Sequence, residues 1–139
     1  MTFLYSTEYL TQNQPTAGRE VVDEAIAEFP EFTWQDSVED ARIRILDSIE
    51  DLPERVEITA RTQNGTLVGL IVVASDDDSQ VGEVLGVQWN FVSADYRGPV
   101  GTQLMREARR VGKRSGFNII AYTHRSGEGR YELKYRRLR

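Results

Sequence analysis

The chain has no cysteine, one histidine (His124), two methionines and four prolines in 139 residues. Without cysteine there is no disulfide, no thiolate metal ligand and no Cys nucleophile. No apolar run reaches the roughly 20 residues a spanning helix needs, so no membrane contact is expected. The opening Met1-Thr-Phe-Leu-Tyr-Ser6 has neither a basic region nor a long apolar one, so no signal peptide is read there. The default expectation is a cytoplasmic protein. Net basic charge is lacking too. Seventeen Lys and Arg against 22 Asp and Glu leave −5, which argues against nucleic-acid binding.

What charge there is lies unevenly. Residues 20–57 and 76–83 carry most of the acid, while the chain from Arg97 onward is rich in Arg and Lys. Such asymmetry marks either an anion-binding end or a solvated basic face. The length suits one domain over residues 1–139, large enough to bury a core without staples.

The pattern of the chain is organised around residues 84–108. Leu85, Val87, Trp89 and Phe91 alternate as in a strand. The turn Arg97-Gly98-Pro99-Val100-Gly101 follows, and then Val100, Leu104, Ala108 and Val111 recur at helical spacing. A loop entering a helix presents unpaired N–H groups and a positive dipole end, which can hold a phosphate.

Around this unit, residues 2–6 read as a short strand and Arg19 to Phe29 as a helix stopped by Pro30. Asp36 with Glu39 resembles a capping box, opening a second helix to about Asp51. Val56, Ile58 and Ala60 alternate with Glu57, Thr59 and Arg61, and Asn64-Gly65 marks a hairpin. The returning strand from Leu67 to Ala74 is nearly all apolar, as in a central strand. Asp76-Asp77-Asp78-Ser79 is expected to be an acidic loop. It lacks EF-hand spacing, so a solvated turn is the reading preferred over a cation site.

After the third helix, Gly116 suits a C-terminal cap. Phe117 to Thr123 is then a strand parallel to residues 84–92, reached by a right-handed crossover. Tyr131, Leu133 and Tyr135 alternate in a last strand. The order β, α, α, β, β, β, α, β, β implies an α+β (α/β) single domain. Its mixed central sheet should have about six to seven strands, with about three helices on its faces. The last strand either ends the sheet or pairs with another subunit, leaving a homodimer open.

This order, with the segment Phe91-Val92-Ser93 through Arg97-Gly98-Pro99-Val100-Gly101-Thr102, resembles the GNAT superfamily of acyl-CoA-dependent N-acyltransferases. It is also similar to compact GNAT-like proteins encoded by some phages. The family pattern is a strand, a short loop, and Arg/Gln-x-x-Gly-x-Gly/Ala opening a helix. The resemblance implies acetyl-CoA (or CoA) as cofactor and an N-acetyltransferase acting on an unidentified amine. It implies that the pantetheine arm pairs with backbone near Phe91, Val92 and Ser93. The pyrophosphate would then sit on amides of Gly98, Val100, Gly101 and Thr102, with Arg97 adding a charged contact. In the strict alignment the family's two small positions fall on Val100 and Thr102, and Pro99 has no N–H to donate. The loop is one residue shorter than the common form, and the helix that usually follows the next strand is absent. A non-catalytic GNAT-fold binding or structural protein is therefore the alternative.

The candidates for chemistry are Glu83 as a base, directly or through water, His124, and Tyr131 as the acid nearest the missing helix. Each has a plain structural explanation: an exposed strand carboxylate, a loop histidine and a packed strand aromatic. Phe29, Phe32 and Trp34 lie at the junction of the first two helices, either as core or as the wall of an acceptor pocket. Acid on those helices favours a cationic acceptor, a small-molecule amine or a protein lysine. The structural expectation is specific: strands 84–92 and 117–123 should diverge in a V rather than pair along their full length.

Overall fold

A computed structural model describes residues 2–139. In chain order it contains β1 (Leu4–Thr11), α1 (Val22–Glu28), α2 (Val38–Glu50), β2 (Glu54–Arg61), β3 (Leu67–Asp78), β4 (Gly82–Val92), α3 (Pro99–Arg114), β5 (Ile119–Gly127) and β6 (Arg130–Arg137). The six strands form one sheet in sequence order, antiparallel throughout except for the β4–β5 pair. Helix α3 packs on one face through Val100, Leu104, Ala108 and Val111. Helices α1 and α2 pack on the other through Val22, Ile26, Ala41, Ile45, Leu46 and Ile49. This is the expected mixed sheet with three helices.

Local boundaries differ where side chains found other partners. The first strand runs to Thr11 because it pairs with β2 along its whole length. Helix α1 starts at Val22, since Thr16 Oγ1 accepts from Gly18 N–H and caps a separate 3-10 turn at Ala17–Glu20. The cap of α2 is Ser37, whose Oγ accepts from Asp40 N–H at 3.1 Å. Asp36 is drawn instead to Arg44, with two bonds of 3.1 Å. Asp76, Asp77 and Asp78 are not a loop; they extend β3 against Val84, Glu83 and Gly82.

The apolar alternation in β4 is broken by a bulge. Val72 pairs with Trp89 but Val73 pairs with Val87, leaving Gln88 as the extra residue. An inserted residue flips the alternation of a strand. Leu85 and Val87 therefore face α3, whereas Trp89 and Phe91 face α1 and α2.

The middle of strand β2 is covered on both faces, so Arg55, Glu57 and Thr59 are buried with its apolar residues. Arg55 and Glu57 are each 2% exposed. Residues i and i+2 share a face, and Arg55 Nε bonds Glu57 Oε2 at 2.7 Å. The remaining groups are satisfied: Arg55 Nη2 reaches Gln14 O at 2.6 Å, and Glu57 Oε1 accepts from Ala17 N–H at 3.0 Å. The pair thus ties the segment entering α1 to the sheet. Replacing Glu57 by Ala strands a buried guanidinium and should cost about 3–5 kcal/mol in urea unfolding. Arg55→Met with Glu57→Leu should recover most of that loss. A single-mutant cost within the range of surface substitutions would refute the anchoring role.

Candidate functional site

Strands β4 and β5 pair only at Leu85–Ile120 and Gly86–Ala121. Two residues further on, the Gln88 bulge bends β4 away. The V-shaped gap expected from the sequence is therefore present. It opens into a cleft of about 720 Å³ between residues 87–92 on one side and 123–125 on the other.

The backbone facing this gap can be identified. Ser93 N–H donates to Val68 O at 2.9 Å, which sets the phase of the β3–β4 ladder. In an antiparallel ladder alternate residues turn their polar groups to the same neighbour. Phe91 and Ser93 thus spend theirs on β3, while Asn90 and Val92 turn theirs to the cleft. Of the three residues expected to offer backbone here, only Val92 does; Asn90 was not anticipated. The Val92 carbonyl is already engaged, accepting from Arg97 Nε at 3.0 Å.

The turn into α3 has its own inventory. Gly98 adopts φ 95°, a left-handed conformation that glycine tolerates best. A Cβ at Gly98 would meet nothing within 4 Å, and one at Gly101 only Val92 Cγ2 at 3.9 Å, so the approach to the helix end is open. Pro99 opens the helix. Thr102 N–H donates to Gly98 O at 2.9 Å and is spent within the helix. Among the described residues, the amides of Gly98, Val100 and Gly101 have no such partner. Arg97 turns away from this end: Nη2 bonds Glu28 Oε1 at 2.6 Å, and the guanidinium lies over Phe29 and Phe91.

The opposite wall is held by a carboxylate. Glu31, in the 3-10 turn Pro30–Thr33, accepts from Arg125 Nε at 2.6 Å, Arg125 Nη2 at 3.0 Å and the Tyr131 hydroxyl at 2.7 Å. These bonds join the α1–α2 connection to the β5–β6 hairpin across the cleft. Arg125 also lies 4.7 Å from the centre of the Phe29 ring, and Trp34 packs on Gly129. The Arg125 bond, aided by those from Tyr131 and from backbone amides, holds the Glu31 carboxyl at about 2. Partial burial and the bond to Glu31 push Tyr131 up to about 12, so its proton stays on the phenol.

His124 and Tyr131 both line the cleft. Glu83 does not. It sits at the far end of β4 opposite Asp77, beside the hairpin turn, and the structure leaves it out of the site. Phe29 and Phe32 also line the cleft, with Trp89 and Phe91, whereas Trp34 is 63% exposed outside it. Glu31 and Arg125 were missed. The available signal for Glu31 was its place after Pro30, between two aromatic residues; Arg125 gave none.

Residues 19–132 match the model of the acetyltransferase (GNAT) family. The chain belongs to this family. No curated protein matches it. Solved structures share the GNAT fold at low identity. One is a GCN5-related glucosamine N-acetyltransferase region in a fungal multi-domain GH3 β-N-acetylglucosaminidase, with TM-score 0.57, 17% identity and 91% of this chain covered. The chain spans only 14% of that protein. A second is AAC(6')-Iy in complex with the bisubstrate analogue CoA-S-monomethyl-acetylneamine, with TM-score 0.55, 16% identity and 91% and 83% of the two chains covered. A third is a ribosomal-protein-alanine N-acetyltransferase from Brucella melitensis biovar Abortus 2308, with TM-score 0.56, 15% identity and 88% and 82% covered. GNAT acetyltransferases use acetyl-CoA and act on small-molecule or protein amines.

In this GNAT domain β5 turns directly into β6 at Glu128 and Gly129, so no helix intervenes. The clasp around Glu31 carries a pH dependence. Folding lowers the Glu31 carboxyl from 4.5 to about 2, so its contribution to stability is complete above 4.5 and is lost as pH falls toward 2. Urea unfolding between these limits should therefore lose stability more steeply in the wild type than in Glu31→Gln. Identical slopes would show that the clasp does not stabilise the ionised form.

Proposed function

We propose that the protein is an acetyl-CoA-dependent N-acetyltransferase, with the acyl-CoA arm lying between β4 and β5. The observation that carries this is the end of β4–β5 pairing after Gly86 and Ala121, beside backbone groups left open to the gap. The residues present suit such a ligand. Asn90 and Val92 would hold the arm by backbone hydrogen bonds. The amides of Gly98, Val100 and Gly101, at the positive end of α3, would hold the pyrophosphate. When bound, the cofactor supplies the acetyl group as a thioester.

The acceptor enters from the α1–α2 side, where Phe29, Phe32, Trp89 and Ile45 line the cleft. Arg44, Arg97 and Arg125 also line it, and no Asp or Glu does. That lining favours an amine on an apolar body, free or on a protein, over a polycation. His124 lines the cleft, its imidazole nitrogens can donate or accept a hydrogen bond, and it is assigned the proton traffic of the transfer. Tyr131 keeps its proton and positions Glu31 and Arg125. A second reading, a GNAT-fold binding protein without catalysis, draws support from the commitment of Arg97 and Tyr131 to carboxylates.

Saturating CoA or acetyl-CoA should raise the melting temperature by several degrees. No shift with either would sink the cofactor assignment. Gly101→Glu, which puts a carboxylate at the helix end, should abolish the shift while leaving the unliganded protein folded. His124→Gln should retain the shift but lose about 10²-fold or more in thiol release with an amine panel. A wild-type shift with no thiol release on any amine would favour the non-catalytic reading.

A further inference from the structure

Strand β6 ends the sheet beyond β5, and its outer edge is unpaired among the described residues. Leu138 N–H donates to Asn118 O at 2.7 Å, which sets the phase of the β5–β6 ladder. Glu132, Lys134 and Arg136 therefore exchange backbone bonds with β5. Tyr131, Leu133 and Tyr135 turn their N–H and C=O groups outward. An edge of this kind is a template for another strand. Its side chains are also unusually apolar for solvent: Leu133 is 52% exposed and Tyr131 47%.

The residues around Leu133 complement their own reversed copy. Antiparallel pairing about a two-fold axis at Leu133 sets Leu133 against Leu133 and Tyr131 against Tyr135, twice. All three outward-facing residues then form backbone-bonded pairs, about six bonds in total. On the opposite face Glu132 meets Lys134, also twice. Neither charge takes part in an ion pair within the single chain, among the described residues. The opposed contact, Arg130 with Arg136, also occurs twice, and in each subunit the Arg136 guanidinium is drawn to the Tyr122 hydroxyl at 3.0 Å. The other edge strand, β1, carries only Glu8 as a charge and has no such complementarity.

We infer that the protein forms a two-fold dimer by antiparallel pairing of β6, running one sheet through both subunits. The partner's Tyr135 then lies beside Tyr131, so the second copy covers the Tyr131 edge of each cleft. The inference stands whether or not the cleft is catalytic.

Sedimentation velocity on the full chain should give twice the 15.9 kDa monomer mass. Lys134→Glu sets carboxylates against each other and should weaken dimerisation about tenfold or more, as should Glu132→Lys. The double swap, Glu132→Lys with Lys134→Glu, should restore it. Circular dichroism on each variant keeps misfolding apart from dissociation. A monomeric wild type would overturn the inference. So would a folded Lys134→Glu variant that dimerises undiminished, or a folded double swap that stays monomeric.

Discussion

The site depends on one failure of hydrogen bonding. Parallel strands β4 and β5 meet for two residue pairs and then separate, because Gln88 has no partner on β3 and the bulge turns β4 aside. A continuous ladder would have consumed the backbone groups of Asn90 and Val92 and closed the cleft. The same inserted residue flips the side-chain alternation, sending Trp89 and Phe91 to the α1–α2 face. One residue thus opens the gap, leaves the Asn90 backbone and the Val92 N–H facing it while Arg97 takes the Val92 carbonyl, and supplies the aromatic wall on one side.

A gap in a sheet is useful only if its walls are held. On one side, Arg97 bonds Val92 O and Glu28, tying the loop before α3 to α1. On the other, Glu31 clasps Arg125 and Tyr131, tying the α1–α2 connection to the β5–β6 hairpin. Behind both, the buried Arg55–Glu57 pair anchors the chain entering α1. These charges are worth more as position than as net stability. A buried ion pair gains little over an apolar pair of the same shape, but it tolerates few alternative geometries. Of the helix carboxylates that from sequence suggested attraction for a cationic acceptor, Asp23, Glu28, Glu39 and Glu50 are paired with arginines, and the cleft lining keeps guanidinium groups.

Much of the fold was legible because it rests on local periodicity. The helical stripe of α3, the apolar run of β3, the Asn64-Gly65 turn and the strand–turn–helix order each reflect contacts that a regular element repeats. Errors arose where a long-range partner overrode a local preference. Glu57 and Thr59 alternate with the apolar residues of β2 and yet are buried, Glu57 beneath the segment entering α1, where it accepts from Ala17 N–H. Asp36 looked like a cap and was claimed by Arg44. The site was less legible than the fold. Gln88 carries no mark of a bulge, since a bulge is a mismatch between two strands and belongs to neither sequence alone.

The sequence by itself determined the class of the domain and the place of its loop–helix unit. Hydrophobic spacing and turn residues dictate elements, and element order limits the sheets that can be built. It also determined that Pro99 offers no amide to that loop. Only the tertiary structure decided which backbone groups stay open, that Thr102 is spent inside the helix, and that Glu83 lies away from the cleft while Glu31 holds its wall. Those outcomes turn on ladder phase and on hydrogen-bond partners as much as 100 residues apart. No local pattern encodes them, because each is settled by which groups the folded chain brings within bonding distance.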